Sequence, residues 1–181
     1  MNRFSLALLA LLVVPNSALA LTVTSSADSG AGTLRQAILD AAAGDTIDFA
    51  GGITPITLTS AELVINKSLT ISGPGANLLT VRRSTAGGTP NFRIFHIASG
   101  AFIVTISGLT ISNGNIAANG GGISSEIQIP GTLTVADSTV SGNTAGGGSA
   151  GGGIENGVQS TLTLTNSTVS GNTATLGGGI F

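Results

Sequence analysis

Cysteine is absent from this chain of 181 residues, and so are tryptophan and tyrosine. Without Cys, a secreted fold has no disulfides and takes its stability from packing and backbone ladders. Without Trp and Tyr it lacks the usual platforms for stacking sugars and the favoured anchors of protein interfaces. Charge is scarce as well: 8% of residues are charged, the formal net charge is -2, and no Lys or Arg follows Arg93. A phosphate backbone is gripped by clustered cations, so nucleic-acid binding has no electrostatic basis. Proline numbers 5 and the 28 glycines keep no three-residue period, which excludes collagen. With 41% apolar residues and so little net charge, the composition is not that of a disordered chain. One all-β domain rich in turns remains.

What is present is repetition. Leu133-Thr134-Val135-Ala136-Asp137-Ser138-Thr139-Val140-Ser141-Gly142-Asn143-Thr144-Ala145 returns 29 positions later as Leu162-Thr163-Leu164-Thr165-Asn166-Ser167-Thr168-Val169-Ser170-Gly171-Asn172-Thr173-Ala174. A weaker copy, Val104 to Gly114, precedes both at the same spacing, with Asn113-Gly114 in place of Gly-Asn. Each copy leads into a glycine run that ends in Ile123, Ile154 or Ile180. A fixed period of this length marks a solenoid. There is no helix in the repeat and room for about three short strands, so each copy makes one rung of a parallel β-helix. Inward Val, Ile and Leu then stack on their counterparts, outward Thr and Ser form ladders, and glycine fits the corners.

Residues 1–20 read as a secretory signal peptide. Arg3 precedes an apolar stretch from Phe4 to Val14, and Ala18-Leu19-Ala20 is a cleavage pattern. The apolar stretch is too short to be a membrane anchor, which takes roughly 20 residues. Residues 21–44 hold a strand at 21–24 and one helix at 33–43. Thr33 is its N-cap, Gln36 completes a capping box, and Gly44 is the stop. Leu34, Ala37, Ile38 and Ala41 form its apolar face, while Arg35 points to solvent. An open solenoid end needs a lid, and this helix is the natural one. Rungs fill residues 45–181, with strands that include 92–97 and an insertion at 84–91. The chain stops soon after a glycine run, so a truncated C-terminal end is expected.

The stretches Gly32-Thr33-Leu34-Arg35-Gln36-Ala37-Ile38, Gly44-Asp45-Thr46-Ile47-Asp48-Phe49 and Leu69-Thr70-Ile71-Ser72-Gly73-Pro74-Gly75 resemble bacterial secreted β-helix proteins that begin with a CSLREA-type segment. The Gly-Gly-Gly-Ile and Ser-Gly-Asn-Thr-Ala units are similar to repeats of polymorphic outer-membrane proteins and autotransporter-like adhesins. Three letters depart from the segment: Gly32-Thr33 stands where the family has Cys-Ser, and Gln36 where it has Glu. The resemblance implies a right-handed parallel β-helix, secreted or on the outer surface, serving as a structural, adhesin-like passenger. Its partner would be a surface glycan or protein, or further rungs of its own chain.

Chemistry is thinly signalled. Glu126 and Glu155 share the repeat spacing, and stacking on neighbouring rungs would make them a pair of the sort glycoside hydrolysis uses; solvated turn carboxylates are the plainer account. Asp137 aligns with Asn166 and Gly108. Asn143 and Asn172 read as a stacked-amide ladder more than as ligands, and Asn113 is displaced from it by one position. His96 alternates with Phe95 and Ile97, so it faces outward, with no Ser or Asp partner by spacing. Arg82, Arg83 and Arg93 make either a small basic patch or solvated flanks of the insertion. No catalytic, cofactor or metal residues are assigned from these signals. The alternative function is a carbohydrate-active domain like the pectate-cleaving β-helices, with its catalytic rungs missing or beyond Phe181. Two further expectations are that no transmembrane helix is present in the mature chain and that it self-associates end to end.

Overall fold

The computed structural model describes residues 20–181; all but the last residue of the signal-peptide reading lies outside them. The chain is a right-handed parallel β-helix of about five coils, with a single short helix among the described residues. The first sheet contains β1 (Ala20–Val23), β2 (Thr46–Phe49), β5 (Leu69–Ser72), β8 (Ile103–Ser107), β12 (Thr132–Ala136) and β16 (Thr161–Thr165). The second contains β3 (Ile56–Leu58), β6 (Thr80–Arg83), β9 (Thr110–Ser112), β13 (Thr139–Ser141) and β17 (Thr168–Ser170). The third contains β4 (Leu63–Ile65), β7 (Phe95–Gly100), β11 (Ile123–Ile127) and β15 (Ile154–Asn156). A short fourth sheet, β10 (Asn115–Ile116), β14 (Thr144–Ala150) and β18 (Thr173–Leu176), forms along the later coils.

Alternation sends every second side chain inward, and stacking aligns those side chains in columns. The first sheet contributes Leu21, Ile47, Ile71, Ile106, Val135 and Leu164 in one register line. The second contributes Ile56, Val81, Ile111, Val140 and Val169. Leu63, Phe95, Ile123 and Ile154 close the core from the third. Most are fully buried, and each such side chain stabilises by about 1.5–3 kcal/mol. The outward lines are hydroxylic: Thr46, Thr70, Thr105, Thr134 and Thr163 on the first sheet, and Thr80, Thr110, Thr139 and Thr168 on the second.

Corners obey two constraints. The first glycine of each run, Gly120, Gly151 and Gly177, has φ of 68°, 67° and 56°, the left-handed region that favours glycine. The third is excluded from bearing a side chain by the next coil, since a Cβ on Gly122 would lie 2.6 Å from the Gly153 carbonyl oxygen. The Asn-Gly exchange in the weaker copy has the same kind of cause. Asn113 (φ 61°) takes the left-handed slot that Gly142 (64°) and Gly171 (60°) fill in later coils. Gly114 takes the slot of Asn143 and Asn172, where a Cβ would strike the Gly121 carbonyl. Asn is among the few non-glycine residues that tolerate the left-handed region.

The helix α1 (Leu34–Asp40) buries Leu34, Ala37 and Ile38 against β1, β2 and β4, and so closes the first coil. It is shorter than the sequence predicts. The Asp45 carboxylate accepts the Ala42 N–H, and the Lys67 ammonium donates to the carbonyls of Ile38, Leu39 and Ala41. Lys67 thus meets orphan carbonyls of the last turn while Asp45 holds the residue just past it, and the chain leaves the helix at Ala41. The capping box is half made: Thr33 Oγ1 accepts the Gln36 N–H, but the Gln36 side chain donates to Asp40. The strand expected at 92–97 starts at Phe95 instead. Phe92 is drawn into an antiparallel bridge with Asn115, and Arg83 donates to the Pro90 carbonyl at 2.8 Å. Among the described residues no helix is long and apolar enough to cross a membrane.

Candidate functional site

The outer face of the third sheet carries three of the four ion pairs among the described residues. Its outward column runs Val64, His96, Ser124, Glu155 over four consecutive coils. His96 Nδ1 lies 3.0 Å from Glu62 Oε1, and Nε2 lies 3.2 Å from Glu126 Oε1. A neutral imidazole has one N–H, so only the doubly protonated ring donates to both carboxylates. Arg93 Nε sits 3.0 Å from Glu62 Oε2 but is not aligned as a hydrogen bond, so the contact is Coulombic. Ser124 Oγ donates to Glu155 Oε2 at 2.8 Å. The row therefore reads Arg93, Glu62, His96, Glu126, with Ser124 on the strand of Glu126 and Glu155 one coil on. Glu126 is its open member, with a side chain 54% exposed.

The helix end of this face is anchored by Arg35. Its guanidinium donates to the Ala61 and Glu62 carbonyls, to the Asp28 carbonyl and to the Asp28 carboxylate, at 2.7–3.1 Å. Arg35 is thus a clasp between lid and first coils and does not point to solvent. Burial works against the charge on Asp28. Hydrogen bonds from Ser60, Arg35 and Thr59 outweigh it and hold the carboxyl at about 2, below its ordinary 3.8. Arg35, Ile38, Leu39, Glu62, Leu63 and Val64 line a shallow groove there, so Glu62 joins the groove to the His96 row.

The structure disposes of the other sequence candidates one by one. Glu126 and Glu155 do not stack: Glu155 pairs with Ser124 and Asn156 with Ser125, which leaves Glu126 two positions out of line. Asp137 (φ 48°) and Asn166 (φ 47°) follow Gly108 (φ 66°) in a left-handed turn, which accounts for the residue types in that column. Asn143 is fully buried, and its Nδ2 donates to Asn172 Oδ1 at 3.0 Å, as a stacked ladder requires. Arg82, Arg83 and Arg93 do not form one patch. Arg93 faces Glu62, Arg83 is buried beneath the insertion, and Arg82 reaches Thr57. His96 does face outward, but with carboxylate partners that the sequence reading missed.

Glu62 escaped because the repeat spacing fails on this sheet. The Asn ladder keeps an interval of 29, whereas the His96 contacts span 34 and 30 residues and Ser124 to Glu155 spans 31. Among the described residues no three His, Cys, Asp or Glu side chains are grouped as metal ligands. Compared with known proteins, the chain matches no family model, no curated protein and no solved structure. The parallel β-helix and the row on its third sheet carry the functional argument.

Proposed function

We propose that the chain is a structural, adhesin-type passenger, secreted or displayed at a bacterial surface, that holds binding faces on a rigid solenoid. The observation behind this reading is how the reactive side chains are engaged. Both ring nitrogens of His96 and both oxygens of Glu62 face charged neighbours, and Glu155 holds Ser124. The two carboxylates that face one another on this sheet, Glu62 and Glu126, have the His96 ring between them where a hydrolase keeps room for a sugar and a water. The remaining outward surface on two sheets is a lattice of Thr and Ser, suited to contact over an area. The likeness of residues 32–49 and of the repeats to secreted adhesins supports the extracellular setting.

Display of the chain on a non-adherent bacterial cell, followed by attachment to glycan- and matrix-coated surfaces, tests the reading. Attachment above that of an unrelated displayed solenoid is the expected result; parity with it overturns the proposal. A second reading, a carbohydrate-active domain, is favoured by the exposed end of the Glu62, His96 and Glu126 row. Product release from a panel of acidic and neutral glycans, abolished by Glu62→Gln or Glu126→Gln, would establish it in place of the first.

A further inference from the structure

The irregular second coil holds a feature that the adhesive reading does not use. A groove at the corner of the second sheet is lined by Thr57, Arg82, Arg83, Ser84, Thr85 and Asn113, with no acidic residue on its walls. Arg83 is only 9% exposed. Its partners are neutral: the Pro90 carbonyl at 2.8 Å, the Thr89 carbonyl at 3.4 Å, Asn91 Oδ1 at 3.1 Å and the face of Phe92. A buried guanidinium ordinarily has an anion beside it, yet the salt bridges among the described residues involve neither Arg83 nor Arg82. Arg82 is exposed, with its Nε directed to Thr57 Oγ1 at 3.2 Å and its fork otherwise open.

Three departures from the repeat converge at this one corner. Residues 84–91 are an insertion, and insertions in solenoids often fall on the binding face. Arg82 pairs with Ser112, where later coils carry Ser141 and Ser170 in the same line. Asn113 occupies a left-handed slot (φ 61°) that is glycine in the next two coils, and it brings an amide to the groove. Backbone in sparsely populated regions recurs at ligand clamps.

We infer that this groove binds an oxyanion, the carboxylate of an acidic saccharide, on the open guanidinium fork of Arg82. The guanidinium fork matches a planar carboxylate with two parallel hydrogen bonds. Thr57, Ser84, Thr85 and Asn113 supply hydroxyls and an amide for the sugar's own hydroxyls. The buried charge of Arg83, which no acidic side chain among the described residues neutralises, adds to the positive potential at this corner. The saccharide as source rests on the extracellular reading above; the oxyanion chemistry does not.

The test is titration of the purified chain with glucuronate, glucose and inorganic phosphate separately, followed through backbone amide shifts. Glucuronate should move the signals of Arg82, Ser84 and Asn113 saturably, glucose should not, and phosphate should bind more weakly. Arg82→Gln, at an exposed position, should weaken glucuronate about tenfold, the loss of a charge-assisted hydrogen bond. Asn113→Gly restores the residue that later coils carry in that slot and should weaken binding a few-fold with the fold intact. No saturable shift, equal binding of glucose, phosphate binding as tightly as glucuronate, or an unchanged affinity in Arg82→Gln would each overturn the inference. Surface attachment that persists without glucuronate binding removes the groove alone. Glucuronate binding without attachment removes the adhesive reading alone.

Discussion

Replacing Asn143 by Ala tests whether the turn ladder is a structural element of the fold. The side chain is fully buried. Its Oδ1 accepts the Gly114 N–H at 2.9 Å, and its Nδ2 donates to the carbonyls of Ile111 and Ser141 and to Asn172 Oδ1. Truncation leaves the buried Gly114 donor without that acceptor, and each buried polar group so stranded costs about 1–3 kcal/mol. With one donor stranded and one or two acceptors weakened, the expected loss is about 3–5 kcal/mol. Asn172 is the control. It makes the same kind of contacts one coil on but is half-buried, so water replaces them and Asn172→Ala should cost about 1 kcal/mol. Urea unfolding of the two variants measures the difference. Equal midpoints, or a loss below about 1 kcal/mol for Asn143→Ala, would refute the claim that the buried amide is what holds this corner.

Leu34→Asp should destabilise by more than about 3 kcal/mol, since it places a carboxylate in a fully buried site under the lid. Arg35→Ala should cost about 2 kcal/mol, because four bonds from one charged group are lost; denaturant midpoints near wild type would break the clasp reading. The folded chain holds Asp28 at about 2 against 3.8 ordinarily, so it binds that proton less tightly than the unfolded chain does. Stability from this carboxylate is therefore complete above about pH 4 and drains away as pH falls toward 2, by about 1–2 kcal/mol once solvent screening is allowed for. Melting curves across pH 2–5 should show that slope flattened in Arg35→Ala. Leu164, Leu176, Ile180 and Phe181 are 38–57% exposed, whereas Val135 below Leu164 is fully buried. The purified chain should consequently self-associate, and sedimentation as a monomer at high concentration would contradict this.

The coil architecture was legible because the last three coils of two sheets obey a single interval. Val104, Leu133 and Leu162 stack, as do Ile111, Val140 and Val169, at the spacing visible in the letters. The lid was legible through Leu34, Ala37 and Ile38, but its length was not: Lys67 and Asp45 end it from positions outside the helical pattern. The charged row was hidden for a related reason. The corner after the fourth sheet changes length from coil to coil, so Ile123 pairs with Ile154 across a wider interval and Ile154 with Ile180 across a narrower one. Any partner assigned on the third sheet by the repeat interval alone lands on the wrong residue. Arg35 was misread because helical spacing says which face points away from the helix's own core. It does not say that another loop lies against that face.

These facts share a physical root. In a parallel solenoid, residues at equivalent positions lie about 4.8 Å apart, so a charge that repeats would stack on its own sign. At that distance two like charges repel by about 1 kcal/mol in water and by about 3–4 kcal/mol in a partly shielded setting. A column can therefore carry a charge only where its neighbours differ. The third-sheet column obeys this, with His96 between Val64 and Ser124, and Glu155 on Ser124. Asp137 obeys it too, stacked on Asn166, whose amide Nδ2 donates to it at 3.3 Å. Arg82 stands on Thr57 and beneath Ser112. Chemistry in this fold is thus confined to the places where repetition fails. Those are the coils between Asp28 and Glu126, where insertion and register change have separated like from like, and any charged ligand site on this chain should be sought there before the regular rungs.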